Sequence, residues 1–178
     1  MINKKVELAI INQIEVEGYS SQLYLSMASW CDVNGYAGAA KFLYQQTEEE
    51  RMHMLKFIHH LNERAGHALI SALKQPDHEF KSINNVFDLV QKHEQFVTNS
   101  INNLMDICSS EKDYTTANFL QWFVNEQIEE EATVQTILDK IKLLGKDKEA
   151  SFFMMDKELE VMAIAKIAAA AAAVKAKP

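Results

Sequence analysis

Thr47-Glu48-Glu49-Glu50-Arg51-Met52-His53 is the stretch on which the reading of the whole chain depends. Glu50 and His53 are three residues apart, so on a helix they stand about 60° from one another, one turn along the same face. Steps of seven from Glu50 land on Leu43 behind and Phe57 ahead, with Leu61 four residues further on. The carboxylate and the imidazole therefore interrupt an apolar stripe that points into a core. A charged group there is costly unless it is paired or binds a metal, and Glu-x-x-His facing into a helical bundle is a metal-site spacing.

Working outward, the helix that carries this stretch reads from about Ala39 to Arg64, with Gly66 closing it. Before it, Lys4 to Val33 reads as one long helix with the stripe Ile10, Ile14, Tyr24, Met27, Ala28 and Cys31. Glu17 sits in the middle of that stripe, seven residues from both Ile10 and Tyr24. Asn34-Gly35 ends this helix, and the short turn makes the next one return antiparallel. After the second helix comes a polar stretch from about Gly66 to Lys81 with Pro76 inside it. It is longer than a tight helix hairpin needs and suits a crossover along a bundle. Ser82 is placed to cap a third helix that runs to about Ser109, with the stripe Phe87, Val90, Val97, Ile101, Leu104 and Cys108 and Glu94 at its middle. Beyond the turn Ser110-Glu111-Lys112-Asp113, a fourth helix runs to about Leu144 on Leu120, Phe123, Val134, Ile137 and Ile141. Gln127 and Glu130 fall at its middle. Gly145 breaks the pattern, a shorter apolar segment follows from about Lys148 to Met162, and residues 163–178 are mostly alanine with three lysines.

Composition narrows the classes further. A chain of 178 residues fits one domain with a substantial core. Two prolines and five glycines suit an all-helical chain with few turns. A net charge of −7 argues against non-specific nucleic-acid binding and suits cation attraction. Cys31 and Cys108 are too few for a disulfide framework and read as small buried hydrophobes in a reducing compartment. Met1 to Lys5 carries no apolar signal-peptide core, and the alanine run is too weakly hydrophobic to cross a membrane. The expectation is a cytoplasmic protein with no membrane and no nucleic-acid partner.

Each of the four long helices thus breaks its core stripe once, near its midpoint. In a four-helix bundle the midpoints share one level, so Glu17, Glu50, His53, Glu94, Gln127 and Glu130 converge there. One glutamate on an apolar stripe is ordinary, since long side chains snorkel to solvent; four at matching depth are not. Four buried carboxylates do not stay ionised without compensation, and two divalent cations balance them. Oxygen-rich ligation with one imidazole suits Fe²⁺ or Mn²⁺, with Zn²⁺ as a competitor. Glu50 and Glu130 are placed to bridge the two. Tyr24, two turns from Glu17 on the same stripe, is a core aromatic that also suits a redox-active role beside the metals. His59, His60, His67, His78 and His93 have no such arrangement and read as surface or ordinary packing.

The pattern Glu17, Glu50-Arg51-Met52-His53, Glu94 and Gln127-x-x-Glu130 resembles the bacterial non-haem ferritins. So do the phrases Glu15-Val16-Glu17-Gly18-Tyr19-Ser20-Ser21, Lys92-His93-Glu94-Gln95 and Phe119-Leu120-Gln121-Trp122. The resemblance covers residues 1–162, taken as one ferritin-like di-iron domain, with 163–178 as an alanine- and lysine-rich tail. It implies an all-α, ferritin-like four-helix bundle with a long crossover between the second and third helices and a short C-terminal fifth helix. It implies a homo-oligomeric cage of 24 subunits that oxidises Fe²⁺ with O₂ or H₂O₂ and stores ferric mineral. It also implies one iron on Glu17, Glu50 and His53 and a second on Glu50, Glu94 and Glu130. A third lies on Glu49, Glu126 and Glu129 with Glu130. There is no second Glu-x-x-His, which weakens a hydroxylase or radical reading. Haem is not expected, because Arg51 follows Glu50 where haem-binding relatives carry the axial methionine. The alternatives are a di-iron oxidase or oxygenase acting on an organic substrate, and a non-enzymatic helical bundle that binds metal.

Overall fold

The computed structural model describes residues 2–143 and 148–175. They form five helices and no strand: α1 (Lys4–Val33), α2 (Ala37–Glu63), α3 (Ile83–Ser110), α4 (Tyr114–Leu143) and α5 (Lys148–Lys175). The expected break at Gly145 and the expected last residue of the fourth helix, Leu144, lie outside the described residues. None of the described helices is long and apolar enough to cross a membrane.

The helix ends follow local chemistry. Asn3 accepts the Lys5 amide at the start of α1, and Ser82 accepts the Asn85 amide at the start of α3, as its sequence position predicts. At the end of α1, Gly35 takes φ +83° and the Tyr36 amide reaches back to the Cys31 carbonyl. At the end of α2 the left-handed residue is Ala65, with φ +59°, and not Gly66. Gly66 instead passes against Leu61, its amide donating to the Leu61 carbonyl at 3.0 Å.

Cross-helix contacts give the topology. Tyr24 faces Glu94, Gln13 faces Ser100 and Asn3 faces Glu111, so α3 runs antiparallel to α1. His60 meets Thr116 and Gln46 meets Glu130, so α4 runs antiparallel to α2. Between α2 and α3 the chain climbs back along α1. The His67 amide bonds Glu7, Leu73 lies against Gly18, Ser26 donates to the Asp77 carbonyl, and Phe80 packs on Trp30. This is the long crossover expected from residues 66–81, and it makes α2 and α3 parallel.

The apolar stripes read from the sequence are the core. Two clusters of buried side chains lie at the two ends of the bundle, one around Tyr24, Phe42 and Phe87, the other around Ile10, Phe57 and Phe123. Between them, at mid-height, lies a polar layer. α5 packs along α2 and continues past Met162 through the alanine run to Lys175. Alanine has the highest helix propensity, which accounts for the continuation. Asp156 accepts the Gly38 and Ala39 amides at 2.9 and 2.8 Å, satisfying the open end of α2. A Cβ at position 38 would lie 1.7 Å from the Asp156 carbonyl oxygen, so only glycine permits this approach. Leu159 is buried in the chain's own core, and Phe152 and Met162 pack against it. Phe153, Met154, Val161, Ile164 and Ile167 are the exposed large apolar residues of α5 among those whose burial is described.

Candidate metal centre

The polar layer holds the expected residues. Glu17 and Glu94 are 1 % exposed, and Glu50, His53, Gln127 and Glu130 are also buried. Each arrives from the middle of its own long helix, in register with the apolar residues one turn above and below. The acidic runs divide as helical geometry demands: Glu48 is exposed, Glu49 half-buried and Glu50 buried, while Glu129 is exposed and Glu130 buried.

Glu17, Glu50 and His53 converge most closely. Each offers a ligand atom, and the three atoms lie within 4.8 Å of one another. His53 Nδ1 is 3.4 Å from Glu50 Oε2. Glu17 Oε1 accepts a hydrogen bond of 2.9 Å from Gln13 Nε2, but Glu17 Oε2 is buried with no hydrogen-bond partner. A buried acceptor left open costs stability unless something fills it. Two carboxylates, one of them with an open oxygen, and one imidazole make a donor set that fits a divalent cation of the Fe²⁺, Mn²⁺ or Zn²⁺ type.

Glu94, Gln127 and Glu130 are arranged differently. Glu94 Oε1 accepts the Tyr24 hydroxyl, and Glu94 Oε2 accepts Gln127 Nε2 at 3.2 Å. Glu130 Oε2 accepts Gln46 Nε2 at 2.8 Å, and Glu130 Oε1 accepts Lys166 Nζ at 3.0 Å. The carboxylates of this half are held by protein donors.

The electrostatics match the burial. Loss of solvent, then repulsion from Glu50, pushes the Glu17 carboxyl up to about 8. Loss of solvent, then Glu94, lifts Glu50 well above the usual carboxylate range. Glu94 rises to about 7, through burial and then Glu130, against the hydrogen bonds from Tyr24 and Gln127. The layer therefore resists carrying its full negative charge, and a cation would relieve it.

The residues expected at a third position are also placed. Glu49 Oε2 accepts Lys166 Nζ at 2.8 Å. Glu126 is half-buried; burial raises its carboxyl, His53 opposes this, and Glu129, Glu130 and Glu49 add to it. Burial alone would lower the Lys166 ammonium, but Glu130 and Glu49 outweigh it and the net shift is upward. Among the remaining histidines, His93 binds Ser20 Oγ at 2.8 Å, and His60 stacks on Phe119; both pack away from the cluster.

Three contributors are absent from the sequence reading: Gln13, Gln46 and Lys166. Gln13 and Gln46 each precede a glutamate of the buried polar layer, Glu17 and Glu50, by four residues and lie buried in the same stripe. Lys166 is the one charged residue between Glu160 and Lys175. That isolation was the available signal.

Residues 8–144 match the Ferritin-like domain family. The chain is 44 % identical over 159 residues, 89 % of this chain and 96 % of the relative, to a Haemophilus influenzae protein named "Probable bacterial non-heme ferritin-like protein". It is 48 % identical over 145 residues, 82 % of this chain and 87 % of the relative, to a "Bacterial non-heme ferritin" of Campylobacter jejuni. Among solved structures it is similar to an open pore ferritin of Archaeoglobus fulgidus, with a TM-score of 0.87, 41 % identity, and 90 % and 98 % of the two chains covered.

Proposed function

The chain belongs to the ferritin family, and from that premise we propose that it is an iron-storage ferritin with ferroxidase activity. Fe²⁺ is the substrate. One ion binds Glu17, Glu50 and His53, and a second binds Glu50, Glu94 and Glu130 with Gln127 beside it. Each Fe²⁺ gives up one electron; O₂ takes two electrons and two protons to reach the level of H₂O₂, and H₂O₂ serves as a further oxidant. The helices supply fixed geometry and charge, and the electron transfer belongs to the metal. Tyr24 holds Glu94 in place and is positioned as a redox-active neighbour. Glu49, Glu126 and Glu129 with Glu130 form the position for a third iron on the inner side. Residues 1–162 hold every one of these ligands, with 163–178 as a tail. Copies of the chain assemble into a cytoplasmic cage of 24 subunits around the ferric mineral. The exposed apolar residues of α5 support contacts between copies.

The observation that carries this reading is the open Glu17 oxygen in a buried cluster with Glu50 and His53. The test is anaerobic addition of Fe²⁺ followed by rapid mixing with air. Ferric absorbance should rise much faster than in buffer, with O₂ consumed and the protein eluting at cage size. A rate equal to that of buffer would remove the ferroxidase, and elution as a small oligomer would remove the cage.

A further inference from the structure

α5 carries an unusual residue along its buried face. Phe152, Met155, Leu159, Met162 and Ala163 follow one another at helical spacing against the bundle. The next position in that register is Lys166. Its ammonium donates to Gln46 Oε1 at 2.7 Å, Glu49 Oε2 at 2.8 Å and Glu130 Oε1 at 3.0 Å. A lysine has three N–H donors, so all three are used. Gln46 is itself 1 % exposed and also donates to the other oxygen of Glu130. Three oxygens from α2 and α4 therefore surround one positive charge, next to the paired centre through the shared Glu130.

We propose that Lys166 is a tethered competitor for the third cation position, holding its Glu49 and Glu130 together with Gln46, so that a divalent cation enters there only when the end of α5 withdraws. The inference rests on the ferroxidase reading for what the neighbouring centre binds. The three oxygens are hard donors, which suit Fe²⁺, Mn²⁺ or a similar ion as well as an ammonium. The tether is light. Beyond Ala163, Lys166 is the only residue that is not exposed among those whose burial is described. Ile164 and Ile167 are each only about half covered, so the three hydrogen bonds and these two partial contacts hold the last part of the helix. Withdrawal exposes little apolar surface, and the alanine-rich backbone keeps its own helix. Release of Glu130 Oε1 frees a ligand for the second metal in the same motion. The C-terminal helix in this way sets how many cations one chain holds.

The test is a Co²⁺ titration of the full-length assembled protein, followed by calorimetry and visible absorption. Lys166→Met keeps the length of the stem and removes the charge. It should bind one more Co²⁺ per chain than the parent, at least about tenfold more tightly than any residual weak site of the parent. Lys166→Arg should keep the parent count, and Glu49→Gln added to Lys166→Met should remove the extra ion. Lys166→Gln serves as a second neutral variant should the methionine disturb folding, which circular dichroism reports. Equal counts in the parent and in a folded neutral variant would overturn the proposal. The paired centre is tested separately by Glu50→Ala in the parent background. If that change leaves Co²⁺ binding untouched, the ferroxidase reading fails, whereas equal counts with a Glu50-dependent site sink only the role of Lys166.

Discussion

The two halves of the polar layer are lined by similar residues and differ in what satisfies their oxygens. On the α1–α2 side, Glu17 has an open oxygen and stands with Glu50 and His53 around a common point. On the α3–α4 side, Glu94 is held by Tyr24 and Gln127, and Glu130 by Gln46 and Lys166. The open Glu17 oxygen can take a cation without displacing a protein hydrogen bond, in exchange for the proton that a carboxyl pushed up to about 8 holds at neutral pH. The second half is settled without one, and a cation must displace existing hydrogen bonds. On the proposed function, the difference implies filling in order, with Glu17, Glu50 and His53 first.

The largest expected effect comes from removing the residue common to both halves. Glu50→Ala should lower the fast phase of iron oxidation by about 100-fold or more, since even residues that only support metal ligands cost 10–100-fold when lost. Stopped-flow absorbance after mixing with air reads this directly, and an unchanged fast phase would mean that Glu50 bridges nothing.

Acidity sharpens the comparison next. Burial pushes the Glu17 and Glu94 carboxyls up to about 8 and about 7, both above the ordinary carboxylate value of 4.5. Between those limits the folded chain holds more protons than the unfolded one, so stability without metal should fall as pH rises from about 5 to about 8. A bound cation replaces those protons, so its affinity and its lift in melting temperature should both grow over the same window. Thermal melts with and without Zn²⁺ at pH 5.5, 7 and 8.5 check the sign; a metal effect that shrinks with pH would show that these carboxyls are not ligands.

Tyr24→Phe acts on the second half alone. It leaves Glu94 Oε1 without its donor, at a cost of about 1–3 kcal/mol in denaturant unfolding of the metal-free protein. Calorimetry should find the first cation unaffected and the second shifted, and equal shifts in both would erase the distinction between the halves.

The smallest effect belongs to the tail. A chain lacking residues 165–178 should assemble, should fill the first position as the parent does, and should fill the second more readily. Sizing and calorimetry decide this, and a truncated chain that neither assembles nor oxidises iron would make the tail integral.

The same comparison explains what was legible in the sequence. Glu17, Glu50, His53, Glu94 and Glu130 stood out because a charge on an apolar stripe breaks a strong periodic signal, and all of them are buried at one level. Gln13 and Gln46 carry no charge and, unlike Gln127, do not stand three residues from a core glutamate, so the same register gave no warning. Lys166 was obscured by composition: an alanine run reads as low complexity, although the buried register from Phe152 reaches into it as far as Lys166. Gly66 marks the end of α2 in the sequence, but the left-handed residue there is Ala65, and the close packing of Gly66 on Leu61 is invisible to local propensity.

The central claim is ordered filling of a paired centre, and anomalous diffraction at the iron edge tests it most directly. Crystals grown without metal would be soaked anaerobically with one and then two equivalents of Fe²⁺ per chain. The account predicts density first among Glu17, Glu50 and His53, then a second peak among Glu50, Glu94 and Glu130 with Lys166 withdrawn from Glu130. Equal occupancy of both positions from the first equivalent, or no peak between the helices, would contradict it.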